Sequence, residues 1–178
     1  MRSAAETVLL SPKPMSNTVE VRAITAAETW PLRQAVLRPG RPVAAAQFPG
    51  DDAATTKHFG AFRGTSLVGI ASLFRAEMPE QPGARAFQLR GMATAPEVRG
   101  QGLGRALILA CLAFARDNQA QLFWFNARTV ALGFYRKLGF EIIGEEFEVP
   151  DVGPHFRMVM RLNEASPGNS NELVKHFS

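Results

Sequence analysis

The sequence predicts a mixed α/β domain, with a largely antiparallel sheet of seven strands and helices on both faces. Three observations carry that expectation. Apolar stretches of period two are interleaved with stretches of helical period, in the order strand, one or two helices, three strands, helix, strand, helix, two strands. Arg63-Gly64-Thr65 lies between two apolar runs and signals a hairpin. Finally, one strand runs through three closely spaced glycines, Gly100, Gly102 and Gly104, straight into an apolar-periodic helix.

Composition bounds the answer. A chain of 178 residues fits one domain with room for a real core. Its 46% hydrophobic and 20% charged content is that of an ordinary globular protein. The net charge is +4, and sixteen of the twenty basic residues are arginine, scattered along the chain. A nucleic-acid binder would gather such charge into a stripe or a tail. Dispersed arginine suits a small phosphorylated ligand, because the guanidinium fork matches phosphate oxygens. The single cysteine, Cys111, can form no intramolecular disulfide and fits a reducing compartment. No stretch approaches the ~18 apolar residues of a membrane span, and no signal-peptide pattern opens the chain. The expectation is a cytoplasmic protein.

In chain order, Met1–Asn17 reads as a disordered leader, and 18–162 as the folded domain. Val19–Ile24 alternates as a strand. Thr25-Ala26-Ala27-Glu28 is a capping-box pattern opening a helix that carries Trp30, Leu32, Val36 and Leu37, with Pro31 tolerated near its start. Pro39-Gly40-Arg41-Pro42 stops that helix, a short second helix fits Val43–Gln47, and Pro49-Gly50-Asp51-Asp52 makes a turn. Lys57–Phe62 and Ser66–Phe74 form the hairpin, and Ala86–Ala93 is a further strand. Gly91 within it predicts a bulge or a close backbone approach. The helix after the glycines carries Leu103, Leu107, Ala110, Cys111 and Phe114 on one stripe, which makes Cys111 a packing residue. Leu122–Phe125 is a strand, and Arg128–Leu138 a helix closed by Gly139. Phe140–Gly144 and His155–Leu162 are closing strands on either side of an acidic loop, Glu145–Pro154. Residues 163–178 form a polar tail.

A glycine-rich loop feeding a helix start presents bare N–H groups and the positive end of the helix dipole, a seat for phosphate. The dinucleotide fingerprint fails here because Arg105 holds its third glycine position, and a Walker Gly-Lys-Ser/Thr is absent. Instead, Arg99-Gly100-Gln101-Gly102-Leu103-Gly104 fits the Arg/Gln-x-x-Gly-x-Gly/Ala loop of the Gcn5-related N-acetyltransferase (GNAT) family. Asn126 follows the fifth strand, and Ala131–Phe140, ending in Gly-Phe, is similar to that family's fourth helix. Residues 153–162 resemble the last strand of small bacterial members. The resemblance spans roughly residues 19–162 and is sharpest between Leu89 and Phe140.

The resemblance implies an acyl-CoA N-acyltransferase fold and an enzyme that moves acetyl from acetyl-CoA to a primary amine in a ternary complex. Main-chain amides of Arg99, Gly100, Gln101, Gly102, Leu103 and Gly104 would cradle the pyrophosphate, with Arg99 and Arg105 adding charge. The bland alternative is that the glycines only make a tight turn. Met92, Ala93 and Thr94 would bond the pantetheine arm through their main chain. Asn126 fits either a pantetheine amide or the N-cap of the next helix. Tyr135, the only tyrosine beside thirteen phenylalanines, is expected to protonate the departing CoA thiolate, the alternative being aromatic packing.

The general base stays open. Gln88 and Arg90 stand on the strand where several family members keep a carboxylate, and Glu145, Glu146, Glu148 and His155 flank the acceptor side. His58 lacks partners at metal spacing, so no metal is expected. The acceptor segments are Arg33–Asp52, with Arg33, Arg38 and Arg41, and the glutamate-rich Glu145–His155. Their charges suggest an acceptor with both an amine and an acidic group, either a small molecule or a peptide. The expected partners include no nucleic acid and no membrane, and the chain is expected as a monomer or homodimer. A non-catalytic acyl-CoA sensor on the same fold is the alternative reading.

Overall fold

The computed structural model describes residues 19–150 and 152–162. The expected leader and tail lie outside these residues. Seven strands form one sheet: β1 (Val19–Ile24), β2 (Lys57–Arg63), β3 (Ser66–Arg75), β4 (Ala86–Thr94), β5 (Leu122–Arg128), β6 (Glu141–Val149) and β7 (Gly153–Arg161). Their order is β1-β2-β3-β4-β5-β7-β6. Every neighbouring pair is antiparallel except β4 and β5. The predicted class and strand count agree with this sheet.

Helix α1 (Ala26–Leu37) lies on one face, and α2 (Leu103–Asp117) and α3 (Leu132–Lys137) pack on the other. The alternation of β3 shows why. Gly69, Ala71 and Leu73 turn toward Leu107 and the α2 core, while Ser72 and Phe74 turn toward α1. The α2 core gathers Leu103, Leu107, Ile108, Cys111 and Leu112 against Phe123, Phe125 and Phe140. Each such side chain contributes about 1.5–3 kcal/mol through burial. The buried stripe of α2 runs through Ile108, Leu112 and Ala115; the predicted Ala110 and Phe114 stay half-buried at its edge.

Helix α1 opens with the predicted capping box. The Thr25 amide donates to Glu28 Oε2 at 2.7 Å, and the Glu28 amide donates back to Thr25 Oγ1 at 3.4 Å. Its inner face differs from the apolar face expected. The buried residues are Ala26, Thr29 and Arg33, while Trp30, Leu32, Val36 and Leu37 are only half-buried. Arg33 is fully buried, its Nη1 and Nη2 donating to Asp51 Oδ2 at 2.6 Å and Oδ1 at 3.0 Å. Nη2 also donates to Ser72 Oγ at 2.6 Å, and Nη1 to the Ala46 carbonyl at 2.9 Å. His58 completes the cluster, with Nδ1 2.7 Å from Ser72 Oγ and Nε2 2.9 Å from the Asp51 carbonyl. This network ties α1 and the loop after it to the middle of the sheet. Arg33 is therefore a structural cation, not the acceptor-facing arginine its sequence position suggested.

Two further expectations change. The segment Glu145–Pro154 is not all loop: Glu145–Val149 belongs to β6 and Gly153–Pro154 to β7, at the turn end of a long hairpin. A bulge at Gly144–Glu146, where Gly144 has φ 75°, interrupts β6 where the apolar pattern breaks, and pairing resumes at Phe147 opposite His155. The segment Arg128–Leu138 is not one helix: β5 continues to Arg128, a 3₁₀ turn covers Thr129–Ala131, and α3 follows.

Candidate active site

The site begins where β4 and β5 part. They pair only at Ala86–Leu122, Phe87–Phe123 and Gln88–Trp124. Past that point β4 carries one extra residue between its Ile70–Ala93 and Ser72–Arg90 registers with β3, a bulge centred on Gly91 with φ 60°. The β5-facing edge of β4 beyond Gln88 is left without a strand partner. An edge of free N–H and C=O groups accepts an extended, amide-bearing chain as an added strand. A cavity of about 830 Å³ opens between the two strands, walled by Met92, Ala93 and Thr94 on one side and Phe125, Asn126 and Ala127 on the other.

Beyond β4 a 3₁₀ turn, Pro96–Val98, leads into the glycine loop. Gly100 and Gly102 have φ of 75° and 82°, a region closed to most side chains, and a Cβ on either would point into open space. Gly102 is the N-cap of α2 and has no side chain to satisfy the first amides. The amides of Leu103, Gly104 and Arg105 precede the first bond of the helix, donated by Ala106 to the Gly102 carbonyl at 3.0 Å. Free amides at a helix N-terminus with open space before them fit a pyrophosphate. At Gly104 the missing side chain also serves packing, since a Cβ there would meet Met92 Cε at 3.2 Å and Phe134 Cζ at 3.3 Å. The loop is braced by Gln101, whose side chain accepts from Arg63 Nη2 and donates to the Glu97 carbonyl.

The model of the acetyltransferase (GNAT) family matches residues 23–140. The chain belongs to that family. It is 34% identical over 144 residues to the uncharacterized N-acetyltransferase YitI of Bacillus subtilis strain 168, a match covering 81% of this chain and 97% of that one. A shorter match, 38% over 64 residues, links it to the peptidyl-lysine N-acetyltransferase YjaB of Salmonella typhimurium and covers 36% and 42% of the two chains. In fold it is similar to an IAA acetyltransferase from Bacillus cereus, with TM-score 0.61 and 18% identity over 82% of this chain and 100% of that one. The protein is thus a GNAT N-acetyltransferase that uses acetyl-CoA.

Within this GNAT domain the sequence-predicted residues separate into three groups. Met92, Ala93, Thr94, Arg99, Asn126 and Tyr135 line the cavity. Gly100, Gln101, Gly102 and Arg105 form an exposed rim next to it, while Leu103 has its side chain in the core and Gly104 lies against Met92 and Phe134. The Asn126 N-cap alternative falls, because the residue sits inside β5 and the N-cap of α3 is Ala131. Asn126 Oδ1 accepts from Arg157 Nε at 3.3 Å, which leaves the side-chain N–H groups of this exposed residue unengaged among the described residues.

Tyr135 stands on α3 with its ring tilted against Phe125 at 4.4 Å between centroids and edge-on to Phe134 at 4.9 Å. Its hydroxyl donates only to the weak acceptor Met92 Sδ, at 3.8 Å. Burial pushes the phenol pKa up to about 12, so the group holds its proton throughout the neutral range.

Among the base candidates, Glu145, Glu146 and Glu148 are exposed on β6, and Glu146 accepts from Thr129 Oγ1 at 2.8 Å. His155 is buried to 6% exposure and lines the cavity. Its Nδ1 lies 2.7 Å from the Gly153 carbonyl, which can only accept, so Nδ1 is a donor and Nε2 is the ring nitrogen left to accept a proton. Nothing in the sequence separated His155 from the glutamates around it. The hairpin register does, by setting it opposite both Arg128 and Phe147.

Proposed function

We propose that this enzyme transfers the acetyl group of acetyl-CoA directly to a primary amine bound in the same cavity, with Tyr135 as general acid and His155 as general base. The observation that carries the proposal is the Tyr135 hydroxyl, which lies in the cavity wall, protonated and engaged only by a thioether sulfur.

The amine must be neutral to attack. His155 Nε2 takes a proton from the amine as the new C–N bond forms, while the C–S bond breaks and the Tyr135 hydroxyl gives its proton to the departing sulfur. The products are an amide and CoA thiol, and solvent returns the proton from His155 to Tyr135. The unpaired edge of β4, from Met92 to Thr94, orients the pantetheine arm, and Asn126 supplies side-chain amide donors opposite it. Bringing both substrates together in a cavity of this size supports direct transfer, since holding the reactants in place can replace a covalent intermediate. The fully buried Cys111, whose thiol is driven toward its neutral form by burial, has no part in it.

The test is a two-substrate kinetic analysis of CoA thiol release over a panel of primary amines. Intersecting initial-velocity lines, with no acetyl mass added to the protein on incubation with acetyl-CoA alone, support direct transfer. Parallel lines with an acetylated protein contradict it.

A further inference from the structure

The cavity is unusual in its charge. Among the described residues its lining contains no aspartate and no glutamate, although four arginines, Arg38, Arg90, Arg99 and Arg128, border it. Arg99 belongs to the glycine loop, and Arg128 ends β5 on an exposed position. Arg90 is different. It sits on β4 one residue before the Gly91 bulge, half-buried, its guanidinium 4.8 Å from the Phe74 ring centroid and 5.1 Å from that of Phe48.

No hydrogen bond or ion pair joins Arg90 to another described residue. Asp51 attracts it, but both Asp51 oxygens are held by Arg33. Desolvation, together with the neighbouring Arg33 charge, lowers the Arg90 pKa, although an arginine stays charged at any working pH. A half-desolvated guanidinium stacked on aromatic rings and lacking a carboxylate is costly unless something else completes it. A plain alkylammonium gains little from described walls that carry arginines and no carboxylate. An amine that also bears a carboxylate enters with its charges balanced. Apolar side chains also line the cavity, Val36, Leu37 and Phe48 from α1 and the loop after it, and Val149 and Val152 from the β6–β7 hairpin.

From this we infer that Arg90 is a carboxylate-binding residue of the acceptor site, and that the acceptor is an amino-acid-type molecule with an apolar body, an amine and a carboxylate. This rests on the transferase reading above. Carboxylate held by Arg90 fixes the amine relative to the β4 bulge, and the same charge pattern selects against lysine side chains in peptides, which bring a cation and no acid.

The test uses the intact protein saturated with CoA. Calorimetry measures binding of L-phenylalanine, L-phenylalaninamide and phenethylamine, with L-leucine, L-leucinamide and isopentylamine as a second set, to wild type and to Arg90→Gln. Thiol release with acetyl-CoA is followed on the same compounds and on a lysine-containing peptide. The expected result is that the free amino acids bind and react at least about tenfold better than their amides or decarboxylated counterparts. In Arg90→Gln that preference collapses through KM, while CoA affinity holds. Equal or better binding of the amides, an undiminished preference in Arg90→Gln, or a peptide lysine outperforming the amino acids would overturn the assignment. Binding decides the Arg90 site and turnover decides the transferase reading. Amino acids that bind through Arg90 without reacting would support the first and refute the second.

Discussion

A Cβ at Gly91 would stand 2.8 Å from Arg33 Nε and 2.9 Å from Phe48 Cε2, so the β4 bulge and the buried guanidinium of α1 fit only because Gly91 has no side chain. The same glycine holds φ 60°. One position therefore sets two features of the site, the departure of β4 from β5 and the seat of the acceptor-side loop over the sheet.

Gly91→Ala combines a left-handed backbone with a clash, and is expected to cost about 2–4 kcal/mol in denaturant unfolding. CoA affinity should fall with it, because the cavity wall moves. Wild-type stability in this variant would show that the bulge does not depend on the close approach.

Asp51→Asn leaves Arg33 fully buried without its charge partner, and should destabilise the protein by about 3–5 kcal/mol. The pH dependence has a fixed sign. Burial works to raise the Asp51 pKa, but the Arg33 hydrogen bonds and the Phe48 amide outweigh it and hold the carboxyl below its ordinary value. Its contribution is thus present above the unfolded-state pKa and lost as pH falls through the lower folded value. Thermal melts from pH 7 down to 2 should show a steeper acid loss in wild type than in Asp51→Asn. Parallel curves would contradict it.

What the sequence made legible was local. The turn of the glycine loop into α2, the Gly91 irregularity and the Thr25 cap each depend on residues within a few positions of one another, and all three have the expected geometry. Arg33 was misread because its partners Asp51 and Ser72 lie 18 and 39 residues away. The β6–β7 hairpin was cut short because Gly144 and three following glutamates look like a loop, whereas an edge strand exposed on one side tolerates both charge and a bulge. That same hairpin brings His155 into the cavity, so spacing alone could not separate it from the neighbouring glutamates.

Gly102→Val forces a β-branched residue to φ 82° at the N-cap of α2. The Kd for CoA should rise by more than about tenfold, through loss of the aimed amides, while the core packing of α2 is retained. Titration of CoA followed by calorimetry, with circular dichroism as the check on folding, measures both. Unchanged affinity would remove the loop from the donor site.

His155→Gln keeps bulk but lacks a basic ring nitrogen. The value of kcat/KM should drop by about 100-fold at neutral pH, with the loss shrinking toward alkaline pH as hydroxide takes the proton that leaves the attacking amine. A pH profile parallel to wild type would assign His155 to structure alone.

Steady-state thiol release by Tyr135→Phe bears most directly on the proposed chemistry. The phenol pKa of about 12 keeps the wild-type acid intact below that pH. Loss of the hydroxyl should therefore lower kcat by about 100–1000-fold, uniformly from pH 7 to 10, with CoA affinity within about twofold of wild type. Turnover by Tyr135→Phe equal to wild type would contradict a proton-donating role for this residue.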